Sequence, residues 1–541
     1  MLRQFLPRAG RLLSAAALLT ACISGPAPAE TVEAPVVVQT VKAIGILEPN
    51  DTDDSNARKG NAGAAPLDTQ KIPPVPLMVI DRGFWEDNGF VFDKEAGGIR
   101  APKGHLKTWS EDSYKVPANV GWGADHGTFV AGVIGGALPQ KNGMSTGFAR
   151  LSGTSSENAM YLCDFGIQST QYCLRSYLRS LRDHRPQFVN MSLACEGSGC
   201  SNEGKSTSSM DVDDAVWTDG VLVIAAAGND GRNRHTYDGA RKAGEHDGLT
   251  AKEWPRVGAE CGSKNALCVG AVTNEASPKF NQITNDGVTD DGRLKPDVFA
   301  IGTYEGNCFV VKGSKKPDIT KPCTQTGTSM AAPMVTATLA TVAARHPEWQ
   351  GKPHVFKTWA MLAATRDKEL SQITIGAASG RSGWLRFSPA LQNTDMTNMH
   401  YGDGTANDAE QAYTLPKPSP RRNRLHFILS TIERSVDSVS PNLTHSGCDG
   451  FAETDPDCRY VYNEVHLAAY TPDGELLTST AAVNNPKRDT VRHISLCLND
   501  PRLKDTSSIT VRMVAHDVPD PARYPYKWAM GGKVDFSDAC R

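Results

Sequence analysis

The stretch TGTSMAAPMVTATLATVAA, residues 326–344, places a single serine, Ser329, among small residues just before a long apolar run. The run predicts a buried helix with Ser329 in its first turn. N–H groups of a first turn lack helical partners and lie at the positive end of the helix dipole, so the position suits developing negative charge. Pro333 is expected to cost little so near the helix start. The alternative role for Ser329 is an ordinary helix N-cap.

Composition indicates a globular protein of more than one unit. The 541 residues exceed the size of one ordinary core, and the hydrophobic content of 39% is sufficient to build several. The 57 basic and 60 acidic residues give a net charge of −3. This balance creates no strong field for nucleic acid or anionic lipid, so neither is expected as a partner.

The N-terminal segment, residues 1–29, predicts a signal peptide, because arginines precede an apolar run of about a dozen residues. Two processing sites compete. LTAC at 19–22 is typical of a bacterial lipobox with Cys22 as the lipidated residue, whereas APAE at 27–30 is typical of an ordinary cleavage site. The expected location is therefore secreted, periplasmic or, through a lipid on Cys22, the outer membrane. Any membrane contact would use that anchor.

The cysteines favour an oxidising compartment. Of 13 cysteines, Cys22 belongs to the signal region, which leaves an even number in the exported chain. We predict six disulfides between sequence neighbours: Cys163–Cys173, Cys195–Cys200, Cys261–Cys268, Cys308–Cys323, Cys448–Cys458 and Cys497–Cys540.

The patterning divides the chain into segments. Residues 30–74 form an Ala/Pro/Asp/Gly-rich arm, and order begins at VPLMVID, 75–81. Continuous apolar strands alternate with helices over 75–410, which predicts an α/β unit with a mostly parallel sheet covered by helices on both faces. Residues 411–424 are predicted as a linker. Residues 425–541 show alternating, β-branched runs and predict a smaller all-β sandwich.

Three further residues complete a hydrolytic set with Ser329. A serine needs a base held in one tautomer by a carboxylate. His126 opens a small-residue helix in DHGTFVAG, and Asp81 ends the strand LMVI, at the sheet edge where α/β proteins build sites. Asn229, after VIAAAG, can donate its amide to an oxyanion. Each is also an ordinary cap, turn or surface residue if taken alone.

Taken together, VIDRGF, HGTFVAGVI, AAAGN and GTSMAAPMV, in this order, resemble the subtilisin-like serine proteases, the subtilases. FVNMSLA at 188–194 and LKPDVFAIG at 294–302 add to the resemblance, which covers about residues 75–400. It implies that Ser329 is the nucleophile, His126 the base and Asp81 its orienting acid, with Asn229 in the oxyanion hole.

The resemblance also implies a substrate channel formed by Ser192, Leu193, Ala194, Ala227 and Gly228. No metal ligands and no required cofactor are predicted. A structural calcium ion occurs in many subtilases, yet LPQKNGMSTG at 138–147 offers no clear set of oxygen ligands. Arg82 and Phe129 depart from the family pattern, and both are expected at the rim of the cleft.

The predicted function is an exported serine endopeptidase that acts on proteins or peptides. Two alternatives stay open at this point. One is an inactive subtilase-fold surface or binding protein that presents the sandwich. The other is a maturation protease of narrow specificity, because no folded propeptide is evident before the Asp81 strand.

Overall fold

The computed structural model of the protein describes the following residues: 75–84, 126–135, 160–165, 169–181, 185–194, 206–229, 257–273, 281, 283–285, 287–289, 293–307, 322–364, 385, 399–403, 410–415, 424–435, 460–481, 489–518 and 522–535. Within these ranges, no helix has both the length and the apolar character needed to cross a membrane. The signal segment, the arm and Cys22 lie outside them.

A six-stranded sheet, parallel throughout, forms the centre of the first unit. The strands of this part of the chain are β1 Leu77–Asp81, β2 Met160–Asp164, β3 Phe188–Met191, β4 Leu222–Ala226, β5 Leu267–Val272, β6 Gly287–Val288, β7 Leu294–Lys295, β8 Val298–Ile301, β9 Thr303–Asn307 and β10 Pro322–Thr326. The sheet order is β2-β1-β3-β4-β5-β8, while β6 pairs with β7 and β9 with β10 in antiparallel ribbons. Since all six strands are parallel, their carboxyl ends share one edge.

Helices cover both faces of this sheet. They are α1 His126–Gly135, a π-helical segment Tyr172–Tyr177 that continues into α2 Leu178–Ser180, α3 Thr207–Asp219, α4 Ala259–Gly262, α5 Thr328–Arg345 and α6 Pro353–Ala363. Alternate residues of β1 belong to different cores, because side chains of a strand alternate between faces. Leu77 and Val79 pack with α1 and α5, whereas Met78 and Ile80 pack with α2 and α3. The predicted α/β class is confirmed.

A second unit follows, made of two antiparallel four-stranded sheets. Its strands are β11 His400–Asp403, β12 Glu410–Thr414, β13 Arg424–Glu433, β14 Glu464–Tyr470, β15 Leu476–Ser479, β16 Val491–Cys497, β17 Ser508–Asp517 and β18 Tyr526–Asp535. The sheet orders are β11-β18-β13-β16 and β12-β17-β14-β15, and one apolar core contains residues of both. The predicted sandwich is therefore present. It takes in β11 and β12, so it starts earlier than the predicted linker at 411–424.

The sandwich packs directly on the first unit through α6, which lies against β13 and β18. Along β13, Phe427 and Leu429 face the sandwich core, whereas Ile428 joins the core around α5 and α6. Strand β13 is thus buried on both faces. The two units therefore share a buried boundary, while residues 416–423 of the predicted linker lie outside the described part of the chain.

Two predicted disulfides join described residues, Cys163–Cys173 and Cys261–Cys268. Cys497 is also disulfide-bonded. The proposed partner of Cys497, and the other three predicted pairs, involve side chains outside the described part of the chain.

Candidate active site

Asp81 and His126 meet at the carboxyl edge of the sheet. Asp81 is the last residue of β1 and is fully buried, and His126 begins α1 with about a quarter of its side chain exposed. The distance between His126 Nδ1 and Asp81 Oδ1 is 2.6 Å. Because an ionised carboxylate only accepts hydrogen bonds, Nδ1 donates, and Nε2 is the acceptor of the neutral ring.

The loop after β1 holds the start of α1 in place. Gly127 N–H donates to the Arg82 carbonyl over 2.8 Å, and Thr128 N–H donates to the Gly83 carbonyl over 3.1 Å. A Cβ on Gly127 would lie 2.8 Å from the Phe84 ring and 3.1 Å from Asp81 Cβ. Glycine is therefore needed at this position for the close approach that brings the imidazole to the carboxylate.

Burial raises the pKa of Asp81, and its hydrogen bond and charge interaction with His126 act in the opposite direction. Asp81 Oδ1 also accepts from Arg82 N–H at 2.6 Å, whereas Oδ2 has no hydrogen-bond partner among the described residues. The carboxylate thus depends on the imidazole for compensation of its buried charge. A positive charge on the His126 ring would favour the ionised form of Asp81 further.

Ser329 is the second residue of α5, as predicted, and its side chain is buried. Its Oγ donates to the Ser192 carbonyl over 3.3 Å. Helix α5 packs against α1, so the elements that carry the alcohol and the imidazole are in contact. Pro333 is the sixth residue of α5, in the second turn, where its missing N–H removes one helical hydrogen bond.

Asn229 follows β4 and is held against the start of α5. Its Oδ1 accepts from Thr328 N–H at 2.9 Å and from Thr328 Oγ1 at 3.1 Å. Both bonds fix the amide plane, so that Nδ2 is the donor side of the amide. The structure therefore brings the Asn229 amide next to the first turn that contains Ser329. The alignment of this amide by Thr328 was not predicted from the sequence.

The predicted channel residues fall into two groups. Ser192, Leu193 and Ala194 follow β3, and the latter two are partly exposed. Ala227 and Gly228, in contrast, are buried. All their backbone polar groups are bonded within the protein: Ala227 N–H to Val269, Ala227 C=O to Gly258, Gly228 N–H to Thr328 Oγ1 and Gly228 C=O to Asn285. Both N–H groups are already engaged and Ala227 is fully buried, so these residues offer a substrate no backbone donor.

Arg82 and Phe129, the two residues that depart from the family pattern, differ in burial. Arg82 is exposed, as expected for the rim of a cleft. Phe129 is only 2% exposed and packs edge-on against Tyr304 with ring centroids 5.8 Å apart. Its assignment to the rim was wrong, because its helix register directs it into the core.

Asp164 is a site neighbour that the sequence reasoning missed. It ends β2 and lies opposite Asp81 in the parallel register. Its Oδ2 accepts from Gly83 N–H at 3.1 Å, and its charge adds to the rise in the pKa of Asp81. The sequence MYLCD could have indicated this residue, because it is, like LMVID, an apolar strand that ends in an aspartate.

In the part of the chain that the structure describes, no three His, Cys, Asp or Glu side chains come together as metal ligands would. The 138–147 loop considered for calcium is not among those residues.

Comparison with known proteins places this site in a family. The model of the subtilase family matches residues 79–404, which include Asp81, His126, Asn229 and Ser329. Among solved structures, the chain is similar to the prenylagaramide maturation protease PagA, at 18% identity over 62% of this chain and 98% of that chain, with a TM-score of 0.38.

Two other solved structures are similar at the same level. The patellamide maturation protease PatA matches at 16% identity over 59% of this chain and 96% of that chain, with a TM-score of 0.38. A cold adapted subtilisin-like serine proteinase matches at 17% identity over 58% of this chain and 88% of that chain, with a TM-score of 0.34. The family model spans more than half of the chain, including the acid at the sheet edge and the serine at the helix start. The chain therefore belongs to the subtilase family of serine-type peptidases.

Proposed function

We propose that this chain is an exported endopeptidase that hydrolyses proteins or peptides through an acyl-enzyme on Ser329. The observation that carries the proposal is the 2.6 Å contact between His126 Nδ1 and buried Asp81, at the sheet edge where α5 presents Ser329. A fully buried carboxylate bonded to an imidazole carries a desolvation cost, and such perturbed groups cluster at functional sites.

In the proposed reaction, the Ser329 side chain turns from the Ser192 carbonyl toward His126 Nε2. The imidazole accepts the hydroxyl proton as Oγ attacks the peptide carbonyl. Asp81 keeps the ring in the required tautomer and stabilises its cationic form. The same proton then passes to the leaving amine. Water next attacks the acyl group, His126 accepts the proton of that water, and the proton returns to Ser329 Oγ as the acid product leaves.

The oxyanion of each tetrahedral intermediate would receive two hydrogen bonds. One comes from Asn229 Nδ2, whose orientation follows from the bonds of Oδ1 to Thr328. The other comes from Ser329 N–H, which belongs to the first turn of α5 and has no helical acceptor four residues before it. Such preorganised donors stabilise charge that appears only in the transition state.

For the substrate, we propose that an extended peptide pairs as an added strand with the backbone of 192–194. This segment continues the line of β3 and is partly exposed at Leu193 and Ala194. The backbone N–H groups of Ala227 and Gly228 are already bonded within the protein, so we do not expect them to pair with the substrate.

Labelling with a fluorophosphonate tests the chemistry. The purified protein should form a covalent adduct at Ser329, and the Ser329→Ala variant should show none. Equal labelling of both proteins would contradict the proposal and favour the alternative of an inactive binding protein. Mapping of cleavage sites in a peptide library would then separate a general endopeptidase from a maturation protease, which should cut a single motif.

Export is proposed from the N-terminal segment alone. Expression in a bacterial host with a radiolabelled fatty acid should label the wild-type chain but not a Cys22→Ser variant. Release of unlabelled wild-type protein into the medium or periplasm would instead support cleavage at 27–30.

A further inference from the structure

Pro333 leaves a gap in the hydrogen bonding of α5. In an α-helix the N–H of residue 333 would donate to the carbonyl of residue 329. Proline has no N–H, so this bond cannot form, and the carbonyl concerned is that of the nucleophile Ser329. A buried carbonyl without a donor costs free energy, so the gap must be filled from elsewhere.

Ser192 fills the gap. Its Oγ donates to the Ser329 carbonyl over 2.8 Å, and its own side chain is only 4% exposed. In return, Ser329 Oγ donates to the Ser192 carbonyl over 3.3 Å. The end of β3 and the first turn of α5 are therefore joined by a reciprocal pair of bonds between two serines that lie 137 positions apart.

Two further buried side chains fix the direction of the Ser192 hydroxyl. Asn190 Nδ2 donates to Ser192 Oγ over 3.1 Å, and Thr336 Oγ1 lies 3.0 Å from both Asn190 Oδ1 and the Ala332 carbonyl, which share its single proton. Because Ser192 Oγ accepts from Asn190, its single proton is directed at the Ser329 carbonyl. Thr336 lies on α5 itself, so the chain of bonds leaves the helix and returns to it.

We propose that Ser192 is a positioning residue for Ser329, because its hydroxyl replaces the helical bond that Pro333 removes and so holds the nucleophile's backbone in register with Asn229. This inference rests on the proposed function of Ser329. Without the hydroxyl the first turn of α5 can shift, and small displacements of a reacting group reduce rates steeply. Both the alcohol and the Ser329 N–H would move together.

The test measures fluorophosphonate inactivation, which needs no knowledge of the natural substrate. Ser192→Ala should lower the first-order inactivation constant roughly tenfold, about the effect expected for loss of one hydrogen bond to a buried carbonyl. The half-saturating inhibitor concentration should change less than about twofold, because the variant keeps the backbone that faces the ligand. Thr338→Val is the matched control, since its hydroxyl bonds only back to Met334 within α5.

Pro333→Ala provides the decisive rescue. It restores an N–H that can donate to the Ser329 carbonyl, so the double variant Ser192→Ala with Pro333→Ala should regain most of the lost rate. A purely structural role of Ser192 predicts no such recovery. The proposal is overturned if Ser192→Ala inactivates at the wild-type rate, or if the double variant is no faster than Ser192→Ala alone.

Failure of the proposed function gives a different result. In that case the wild-type protein itself would not be labelled at Ser329, which overturns both the proposed function and the positioning role that rests on it. Circular dichroism and the melting temperature of each variant show whether a slow protein is folded.

Discussion

Lys264 and Glu433 form a buried ion pair between the two units, and its removal should destabilise the whole protein. Both side chains are fully buried, and Lys264 Nζ lies 3.2 Å from Glu433 Oε2. Lys264 belongs to the turn between α4 and β5, whereas Glu433 ends β13 in the sandwich. Because the pair crosses the boundary, its loss should affect both units together.

The expected loss of stability follows from the charge and hydrogen-bonding groups that removal of either partner would leave buried and unpaired. Lys264 Nζ also donates to the Tyr460 carbonyl at 2.8 Å and lies 4.4 Å from the Tyr462 ring centre. Glu433 accepts from the backbone N–H groups of Tyr462 and Asn463 and from the Asn463 amide. Lys264→Met leaves this carboxylate buried without its counter-charge. Breaking such a pair costs about 3–5 kcal/mol.

The measurement is urea unfolding in the Ser329→Ala background, which prevents self-digestion. Lys264→Met and Glu433→Gln should each lower the free energy of unfolding by about 3–5 kcal/mol, and the double variant should lose less than their sum because the two share one interaction. Glu410→Gln is the control, since its pair with Arg512 is about half exposed and worth at most about 1 kcal/mol. If Lys264→Met shifts stability no more than this control, or if only the sandwich unfolds early, the reasoning is refuted.

Three other predictions concern the site and its surroundings. Asn229→Ala should reduce kcat by about 10²–10³ with little change in KM, because in the proposed reaction the amide acts only on the transition state; steady-state kinetics check this, and a change confined to KM would contradict it. His354 is buried, and burial with nearby Lys527 and Lys352 lowers its pKa from 6.5 to about 3, so the unfolded chain binds a proton that the folded chain excludes as pH falls below 6.5. Wild-type protein should thus lose about 2 kcal/mol from this group between pH 6.5 and about pH 4.5, and His354→Phe should not; unfolding curves at both pH values that differ equally for the two proteins would disprove the assignment. Exposed Arg82 directly follows Asp81, so Arg82→Glu should reduce cleavage of peptides with an acidic residue near the scissile bond by roughly two- to fivefold relative to neutral peptides. Added salt should weaken this effect. Equal rates on both peptide sets in wild type and variant would argue against it.

Much of the structure of the first unit can be predicted from local sequence. Apolar runs such as LMVID and LVIAA predict buried parallel strands. Asp81, which ends the first run, and Asn229, which follows the second, lie at the sheet edge because all the strands run in one direction. Ser329 at the start of α5 follows from the abrupt change from small residues to an apolar run. These features depend on periodicity and on residues close together in the chain, which a sequence displays directly.

The tertiary structure decided what depends on residues far apart. Pro333 looks harmless in sequence, and only the meeting of Ser192 with the Ser329 carbonyl shows how its missing N–H is compensated. Lys264 and Glu433 are 169 positions apart and carry no pattern that predicts their pairing. The reason is physical: a buried polar group needs a partner, but its chemistry does not specify which distant segment supplies that partner until the chain has packed.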